Sequence, residues 1–246
     1  MNDHNVQILS DPQDHLQQEN LYLELRRQEG RIPPDEQVKI LPKVSPSSPY
    51  VREWKWRERT LNRFLNRFPK NTSLQILDLG CGNGWMANKL ATNPNWTVWA
   101  VDLNQEELEQ GARLFGKANL KFIYADVFQG VLPERHFDVI LLAASVQYFP
   151  NLTALLEVLR NLLNFTGEIH ILDSNFYQNE DACIAARQRT LAYYTAKEMP
   201  EMARFYHHHL WPEAEKLGAE NLNAALKIRF LQKTKYLAPF PWLWFK

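Results

Sequence analysis

Short apolar runs alternate along the middle of the chain with longer segments in which apolar residues recur every three or four positions. Continuous apolar runs of this kind are typical of strands buried on both faces. They predict strands at 74–79, 96–101, 120–124, 137–143 and 167–172, and the periodic segments between them predict helices at 85–92, 105–115 and 152–163. This alternation is the pattern of βαβ units, so we predict an α/β fold with a doubly wound, mostly parallel sheet.

The segments before the first of these strands have a different composition. We predict helices over 14–29 and 50–68, joined by a stretch that holds five of the chain's 14 prolines and so cannot be one continuous helix. Residues 1–49 carry 5 Lys or Arg and 8 Asp or Glu, a net charge of −3, whereas 50–70 carry 7 and 2, a net charge of +5. We therefore expect the acidic N-terminal extension to pack over the basic helix.

Three of the chain's nine glycines, Gly80, Gly82 and Gly84, lie between the first predicted strand and the helix that follows it. Glycine is needed where the backbone has a positive φ or where a ligand touches the main chain. At the carboxyl edge of a doubly wound sheet, that ligand is commonly a nucleotide-like cofactor. The spacing G-x-G-x-G disfavours the dinucleotide pattern G-x-G-x-x-G. Asp102, at the end of the next strand, can accept the ribose hydroxyls of either NAD or an adenosyl cofactor, so a nicotinamide oxidoreductase stays an alternative here.

Two further acids, Asp78 before the glycines and Asp126 after the third strand, complete a recognisable set. Over about 70–175 the sequence resembles the class I S-adenosylmethionine-dependent methyltransferases, in the run D-x-G-x-G-x-G at 78–84, the strand-end Asp102, and Ala125-Asp126-Val127. The resemblance implies a seven-stranded Rossmann-like sheet. It divides the chain into an N-terminal helical extension (1–49), a cofactor-binding core (50–175), a helical lid (176–218) and C-terminal strands that complete the sheet (219–246).

The resemblance also implies which residues hold S-adenosylmethionine. The glycine loop would lie against its methionine part, Asp102 would hold the ribose, Asp126 would accept from the adenine amino group, and Asp78 would order the loop. The full set that the resemblance assigns to the cofactor is Asp78, Gly80, Cys81, Gly82, Gly84, Asp102, Leu103, Asp126, Val127 and Ala144.

The methyl acceptor is less constrained, because methyl transfer from a sulfonium depends on alignment and needs a base only if the acceptor loses a proton. The fourth strand is followed by 144–148, Ala-Ser-Val-Gln-Tyr, which lacks both the Pro-Pro motif of base-amine methyltransferases and an acid for a metal. We predict a small organic acceptor methylated on oxygen or nitrogen, no metal, and a pocket that the N-terminal extension helps to close. The candidate catalytic residues are His207, His208, His209 and Tyr148.

Composition narrows the remaining alternatives. The chain has 28 Lys plus Arg and 28 Asp plus Glu, and this balance argues against a dedicated nucleic-acid binder. An RNA or protein methyltransferase that uses the basic face of 50–68, and a non-catalytic adenosyl-cofactor-binding protein, both stay open. There is no apolar run of the roughly 18 residues that a membrane span needs, and no signal-peptide pattern, so we expect a cytoplasmic protein. We interpret the aromatic tail, 236–246, as the last strand of the sheet rather than a membrane anchor.

Overall fold

The structure, a computed structural model, describes residues 5–225 and 239–246, and strands alternate with helical segments between residues 74 and 172. The strands are β1 (Gln7–Ile8), β2 (Leu74–Leu79), β3 (Trp96–Asp102), β4 (Leu120–Tyr124), β5 (Phe137–Ala143), β6 (Leu163–Leu172), β7 (Phe176–Tyr177), β8 (His209–Leu210), β9 (Glu220–Asn221) and β10 (Leu243–Phe245). The helices are α1 (Leu16–Gln28), α2 (Asp35–Ile40), α3 (Val51–Leu65), α4 (Trp85–Leu90), α5 (Gln105–Leu114), α6 (Leu152–Leu162), α7 (Glu180–Ala196), α8 (Trp211–Lys216) and α9 (Leu222–Ala225). None of these described helices is long and apolar enough to cross a membrane.

Eight strands form the central sheet, in the order β1-β4-β3-β2-β5-β6-β10-β9. All neighbours pair in parallel except β10, which is antiparallel to both β6 and β9. The doubly wound, mostly parallel fold is therefore confirmed, but the predicted count of seven strands is wrong by one. The extra strand is β1, whose two residues pair with β4 at the sheet edge and are too few to give a hydrophobic period. The strand order reverses between β2 and β5, where ligands bind in such folds.

Successive residues of each central strand face opposite layers of the core, because side chains alternate along a strand. Ile76 of β2 packs into the layer that holds Phe64 of α3, and the adjacent Leu77 packs into the layer formed with α6. Both side chains are fully buried. With helices on both faces, the parallel strands read as continuous apolar runs, which is why the sequence pattern located them.

The proline-rich connector is more ordered than its composition indicates. It contains α2, which begins directly after Pro34, and Val38 and Leu41 bury their side chains almost completely against the core. Asp35 at the start of α2 also accepts hydrogen bonds from Gln110 (3.1 Å) and Arg113 (2.8 Å) of α5. The connector is thus held to the surface of the sheet domain.

The C-terminal tail enters the sheet, as the aromatic pattern predicts. Residues 226–238, which carry the first part of that tail, lie outside the described residues. Trp242 donates to Nδ1 of His170 (2.9 Å), and Trp244 of β10 donates to Glu168 of β6 (2.7 Å). Glu168 also accepts two hydrogen bonds from Arg67 (2.9 and 2.8 Å) and contacts Nε2 of His170 (2.9 Å). One carboxylate therefore connects β6, β10 and the segment after α3.

We expect Glu168→Gln to lower the free energy of unfolding at pH 7 by about 2–3 kcal/mol, because the amide cannot replace the charge-assisted bonds. Burial opposes ionisation, but the hydrogen bonds from His170 and Arg67 hold the pKa of Glu168 below its usual range. A depressed carboxyl pKa stabilises the fold above the unfolded value and loses that effect as the pH falls. In urea unfolding, the difference in unfolding free energy between the wild type and Glu168→Gln should therefore be smaller at pH 3 than at pH 7. The exposed Glu157→Gln is the control, and equal stability of the two variants at pH 7 would contradict the prediction.

Candidate active site

A cavity of about 250 Å³ lies at the carboxyl ends of the strands, at the point between β2 and β5 where the strand order reverses. Its walls come from the loop after β2, the ends of β3, β4 and β5, and the N-terminal part of the chain. The residues predicted from the sequence that line it are Gly80, Cys81, Gly82, Asp102, Leu103, Asp126, Val127, Ala144 and Tyr148. The strand-end motifs therefore converge on one cavity.

Asp102 joins the end of β3 to the glycine loop. One carboxylate oxygen accepts from the backbone N–H of Gly82 (2.7 Å), and the other accepts from Leu103 (2.8 Å) and Asn104 (2.9 Å). Burial raises the pKa of Asp102 although these backbone bonds lower it. A carboxylate has about four acceptor positions, so three backbone bonds leave one for a ligand. The residue thus shapes the loop and has room for one hydroxyl, which fits the ribose of an adenosyl cofactor.

Asp126 orders the end of β4 in a similar way. Its Oδ1 accepts from the backbone N–H of Phe128 (2.9 Å), and its own N–H donates to Ser10 Oγ (2.9 Å). Its Oδ2 lies 3.3 Å from Nε2 of His15, another residue of the cavity wall. One oxygen therefore holds the backbone while the other faces the N-terminal segment, where an adenine amino group would compete with His15.

The predicted cofactor residues Gly84 and Asp78 do not line the cavity. Gly84 precedes α4 with φ +69°, and a Cβ there would lie 2.4 Å from Phe122 Cε1, so packing inside the protein requires the glycine. Asp78 is 1% exposed beneath the loop. Burial and the nearby Asp102 raise its pKa to about 7. Packing against Phe122 therefore accounts for Gly84 without a ligand, and its contact with the methionine part of the cofactor stays a prediction. The buried position of Asp78 agrees with the predicted role of ordering the loop.

The three consecutive histidines lie outside the cavity wall. The backbone N–H of His207 donates to Gln147 O (2.7 Å), Nε2 of His208 pairs with Thr190 Oγ1 (3.0 Å), and Nε2 of His209 lies 3.1 Å from Val146 O. Burial lowers the pKa of His208 to about 4. The contacts of His207 and His209 join the lid segment to the loop after β5, whereas the contact of His208 lies within the lid. That one of these histidines acts as general base stays a prediction, and these contacts do not favour it. From the predicted lid, Met202 and Phe205 reach the cavity.

Much of the cavity wall comes from the N-terminal segment, whose individual residues the sequence did not identify. The wall residues from α1, the connector and α3 include Tyr22, Arg26, Arg31, Tyr50, Glu53, Trp54 and Arg57. Arg31 donates to both oxygens of Glu53 (3.2 and 2.7 Å), so the extension provides the cation and α3 the anion, the reverse of the polarity expected from net charge. A usable signal was the i, i+4 spacing of Tyr22 and Arg26, which brings both side chains to one helix face.

Helix α1 contacts the beginning of α5. The backbone N–H of Gln105 donates to Glu19 Oε1 (2.6 Å), Arg27 pairs with Glu106 (2.9 Å), and Tyr22 lies close enough to Glu107 to lower its pKa. Glu107 lines the cavity, and its carboxylate lies 3.3 Å from where a Cβ of Gly82 would be. These contacts hold α1 across the part of the cavity that Asp102 occupies.

Ionisation of Glu107 gives this arrangement a pH dependence. Burial and the nearby Asp102 raise the pKa of Glu107 to about 7. A raised carboxyl pKa means that the folded state binds more protons than the unfolded state, so stability falls as the pH rises from about 4.5 through 7. We expect Glu107→Gln to reduce this fall by about 1–3 kcal/mol, measured by urea unfolding between pH 5 and 8. The adjacent, exposed Glu106→Gln should keep the wild-type slope; an unchanged slope for Glu107→Gln would show that Glu107 does not titrate in this range.

Comparison with known proteins agrees with this geometry. Residues 76–167 match the family model described as a methyltransferase domain. An uncharacterized methyltransferase of Mycobacterium tuberculosis is 28% identical over 97 residues, which cover 39% of this chain and 49% of that protein. The malonyl-[acyl-carrier protein] O-methyltransferase of Halalkalibacterium halodurans is 30% identical over 131 residues, or 50% of this chain and 48% of that protein. The chain thus spans about half the length of these curated relatives.

Among solved structures, the fold is similar to that of phosphoethanolamine N-methyltransferase 2 from Haemonchus contortus in complex with S-adenosyl-L-methionine. The TM-score is 0.56 at 19% identity, and the match covers 92% of this chain and 49% of the other. At this identity the likeness concerns the fold. Residues 76–167 thus match a methyltransferase domain, and the chain has the fold of S-adenosylmethionine-dependent methyltransferases.

Proposed function

We propose that the protein transfers a methyl group from S-adenosylmethionine to an oxygen or nitrogen atom of a small organic acceptor. The observation that carries this proposal is the shared cavity: the strand-end carboxylates and the glycine loop line one part of it, and aromatic and arginine side chains of the N-terminal segment line the rest. Such a cavity suits a small molecule because it is walled on several sides. The bound cofactor would supply the activated methyl group.

Within that cavity, Tyr148 is the predicted catalytic residue with a suitable position. Its hydroxyl accepts a hydrogen bond from Arg26 Nη2 (3.1 Å), and its ring packs edge-on against Tyr22, with centroids 5.7 Å apart. Arg26 is itself fixed by Glu29 (2.9 Å). The hydrogen bond from Arg26 fixes the position of the Tyr148 hydroxyl. A fixed hydroxyl can orient the methyl acceptor better than a free one, so we assign Tyr148 the role of aligning the acceptor. Exclusion of water by α1 supports the same in-line transfer.

The contacts of the basic residues near α3 disfavour RNA or protein as the acceptor. Arg57 pairs with Glu53 (2.9 Å), Arg63 donates to Asn223 (2.6 Å), and Arg67 forms two hydrogen bonds with Glu168. Phosphate contacts need cations that are free to exchange partners at the surface. Three of the seven basic residues of 50–70 already bind groups of this protein. The net charge of +5 is therefore larger than the positive charge that is available to bind a polyanion.

Two measurements test the proposal. Calorimetric titration should show binding of S-adenosylhomocysteine, and incubation with isotope-labelled S-adenosylmethionine and a small-molecule extract should yield a labelled compound of low mass. Labelled RNA or protein with no labelled small molecule would overturn the acceptor class. Binding without any transfer would indicate the non-catalytic alternative, and absence of S-adenosylhomocysteine binding would overturn the proposal altogether.

A further inference from the structure

Two arginines and one glutamate form a charged cluster in the cavity wall. Arg31 donates to both oxygens of Glu53, and Arg57 Nη2 lies 2.9 Å from Glu53 Oε1. All three side chains line the cavity and are only 24–28% exposed. We call Arg31, Glu53 and Arg57 the arginine clamp.

The clamp has an excess of positive charge. Although burial opposes ionisation, Arg57 and Arg31 hold the pKa of Glu53 below its usual value, so it carries a full negative charge. One carboxylate between two guanidinium groups leaves a net charge of +1. Glu29 lies 3.7 Å from Arg31 but is more closely paired with Arg26 (2.9 Å).

The other acid near the clamp does not remove this excess. Asp173, which acts on Arg57 electrostatically, accepts a hydrogen bond from Thr60 (2.9 Å) and is not part of the cavity wall. Within the cavity wall, the two guanidinium groups of the clamp are paired with one carboxylate, that of Glu53. Positive charge therefore remains at the cavity wall.

Aromatic rings fix the positions of the two guanidinium groups. Arg31 stacks over Tyr50, 4.0 Å from the ring centroid, and Arg57 lies 5.2 Å from the ring of Trp54. Trp54 in turn packs against Trp85, the residue after the glycine loop, with centroids 5.2 Å apart. Each guanidinium has five N–H donors, more than the bonds to Glu53 use. The clamp thus offers oriented donors next to the glycine loop.

We propose that Arg31 and Arg57, held by Glu53, bind a carboxylate group of a ligand in this cavity; the inference rests on the proposed methyltransferase function. A planar carboxylate matches the fork of a guanidinium and restores the charge balance. Two ligands could supply it: the amino-acid end of the cofactor, or a carboxylate-bearing acceptor.

Calorimetry on the full chain separates these sources. S-adenosylhomocysteine carries the carboxylate, and 5′-methylthioadenosine has the same adenosine and sulfur without it. If the cofactor supplies the group, Arg57→Met and Arg31→Met should weaken S-adenosylhomocysteine binding about 10- to 100-fold and leave methylthioadenosine binding unchanged. If the acceptor supplies it, both nucleosides should bind as in wild type, and binding of succinate to the S-adenosylhomocysteine-saturated protein should be lost.

Matched variants keep the test independent of folding. Arg52→Met removes an exposed arginine of the same helix, which stacks on Trp56, and should change none of these affinities. Arg57→Lys keeps the charge but not the fork, and should retain part of the lost affinity in a folded protein. Equal weakening of both nucleosides, or no effect on either nucleoside or on succinate, would overturn the clamp as a carboxylate site. Failure of the wild type to bind S-adenosylhomocysteine would instead overturn the proposed function.

Discussion

Replacing Asp102 by alanine should weaken S-adenosylhomocysteine binding by more than about a hundredfold, the largest binding effect that we expect from a single substitution. The carboxylate accepts backbone hydrogen bonds from Gly82, Leu103 and Asn104 and has one acceptor position left for the ligand. Its removal therefore takes away an expected charge-assisted contact of about 1.5–3 kcal/mol and also releases the loop that we expect to contact the cofactor. Calorimetric titration of folded protein measures the loss.

Asp138→Ala is the matched control. Asp138 also accepts a backbone hydrogen bond in the same sheet, from Gln75 (2.7 Å), but it does not line the cavity. We expect this variant to lose stability while its affinity for S-adenosylhomocysteine stays within about threefold of wild type. If Asp102→Ala also binds within that margin, the ribose assignment of Asp102 is wrong.

The central strands could be predicted from the sequence because each lies between two helical layers and must be apolar along its whole length. Strand β1 could not, since its pairing with β4 uses backbone groups of Gln7 and Ile8, and both side chains are exposed. Strand β10 could be predicted because Leu243 and Phe245 are buried on one face, with Trp244 between them. A strand could therefore be predicted from the sequence where its side chains are buried, and it could not be predicted where backbone pairing alone defines it.

The same distinction applies to the site. Asp102 and Asp126 stand at strand ends, and a parallel sheet brings strand ends to one edge, so their convergence follows from the order of the elements. The hydrogen bond from the Gln105 backbone N–H to Glu19 joins residues 86 positions apart through a polar helix, and no local pattern encodes it. The sequence therefore predicts the residues on the cofactor side of the cavity better than those on the acceptor side.

The prediction that one of the histidines is a general base rests on a signal that is limited in the same way. Residue type and neighbouring aromatics indicate a base in a pocket, but they are equally typical of a packed seam between two segments. Which of the two exists depends on partners such as Thr190 and the carbonyl of Val146, which are 18 and 63 residues away from the histidines that they contact. Burial in that seam disfavours the charged form of the imidazole, as the pKa of His208 near 4 indicates.

Gly84→Ala should destabilise the protein by about 2–5 kcal/mol, the largest stability effect that we expect from adding one methyl group. The backbone at Gly84 has φ +69°, which costs an alanine roughly 1–2 kcal/mol. A Cβ there would also lie 2.4 Å from Cε1 and 2.7 Å from Cζ of Phe122, whose ring is buried in β4 and cannot move without disturbing its neighbours. Overpacking of this kind costs a further 1–3 kcal/mol or so. Urea unfolding measures the sum.

Gly130→Ala separates the two contributions. Gly130 has almost the same backbone conformation, φ +66°, but nothing lies within 4 Å of its Cβ position, so this variant should show the conformational cost alone. The excess loss in Gly84→Ala then measures the contact with Phe122, and Phe122→Leu in the same background should recover part of it by removing the ring atoms that clash. Equal destabilisation by Gly84→Ala and Gly130→Ala would mean that Phe122 adjusts freely. In that case packing would not explain the glycine, and a contact with the cofactor would again be the better reason for its presence.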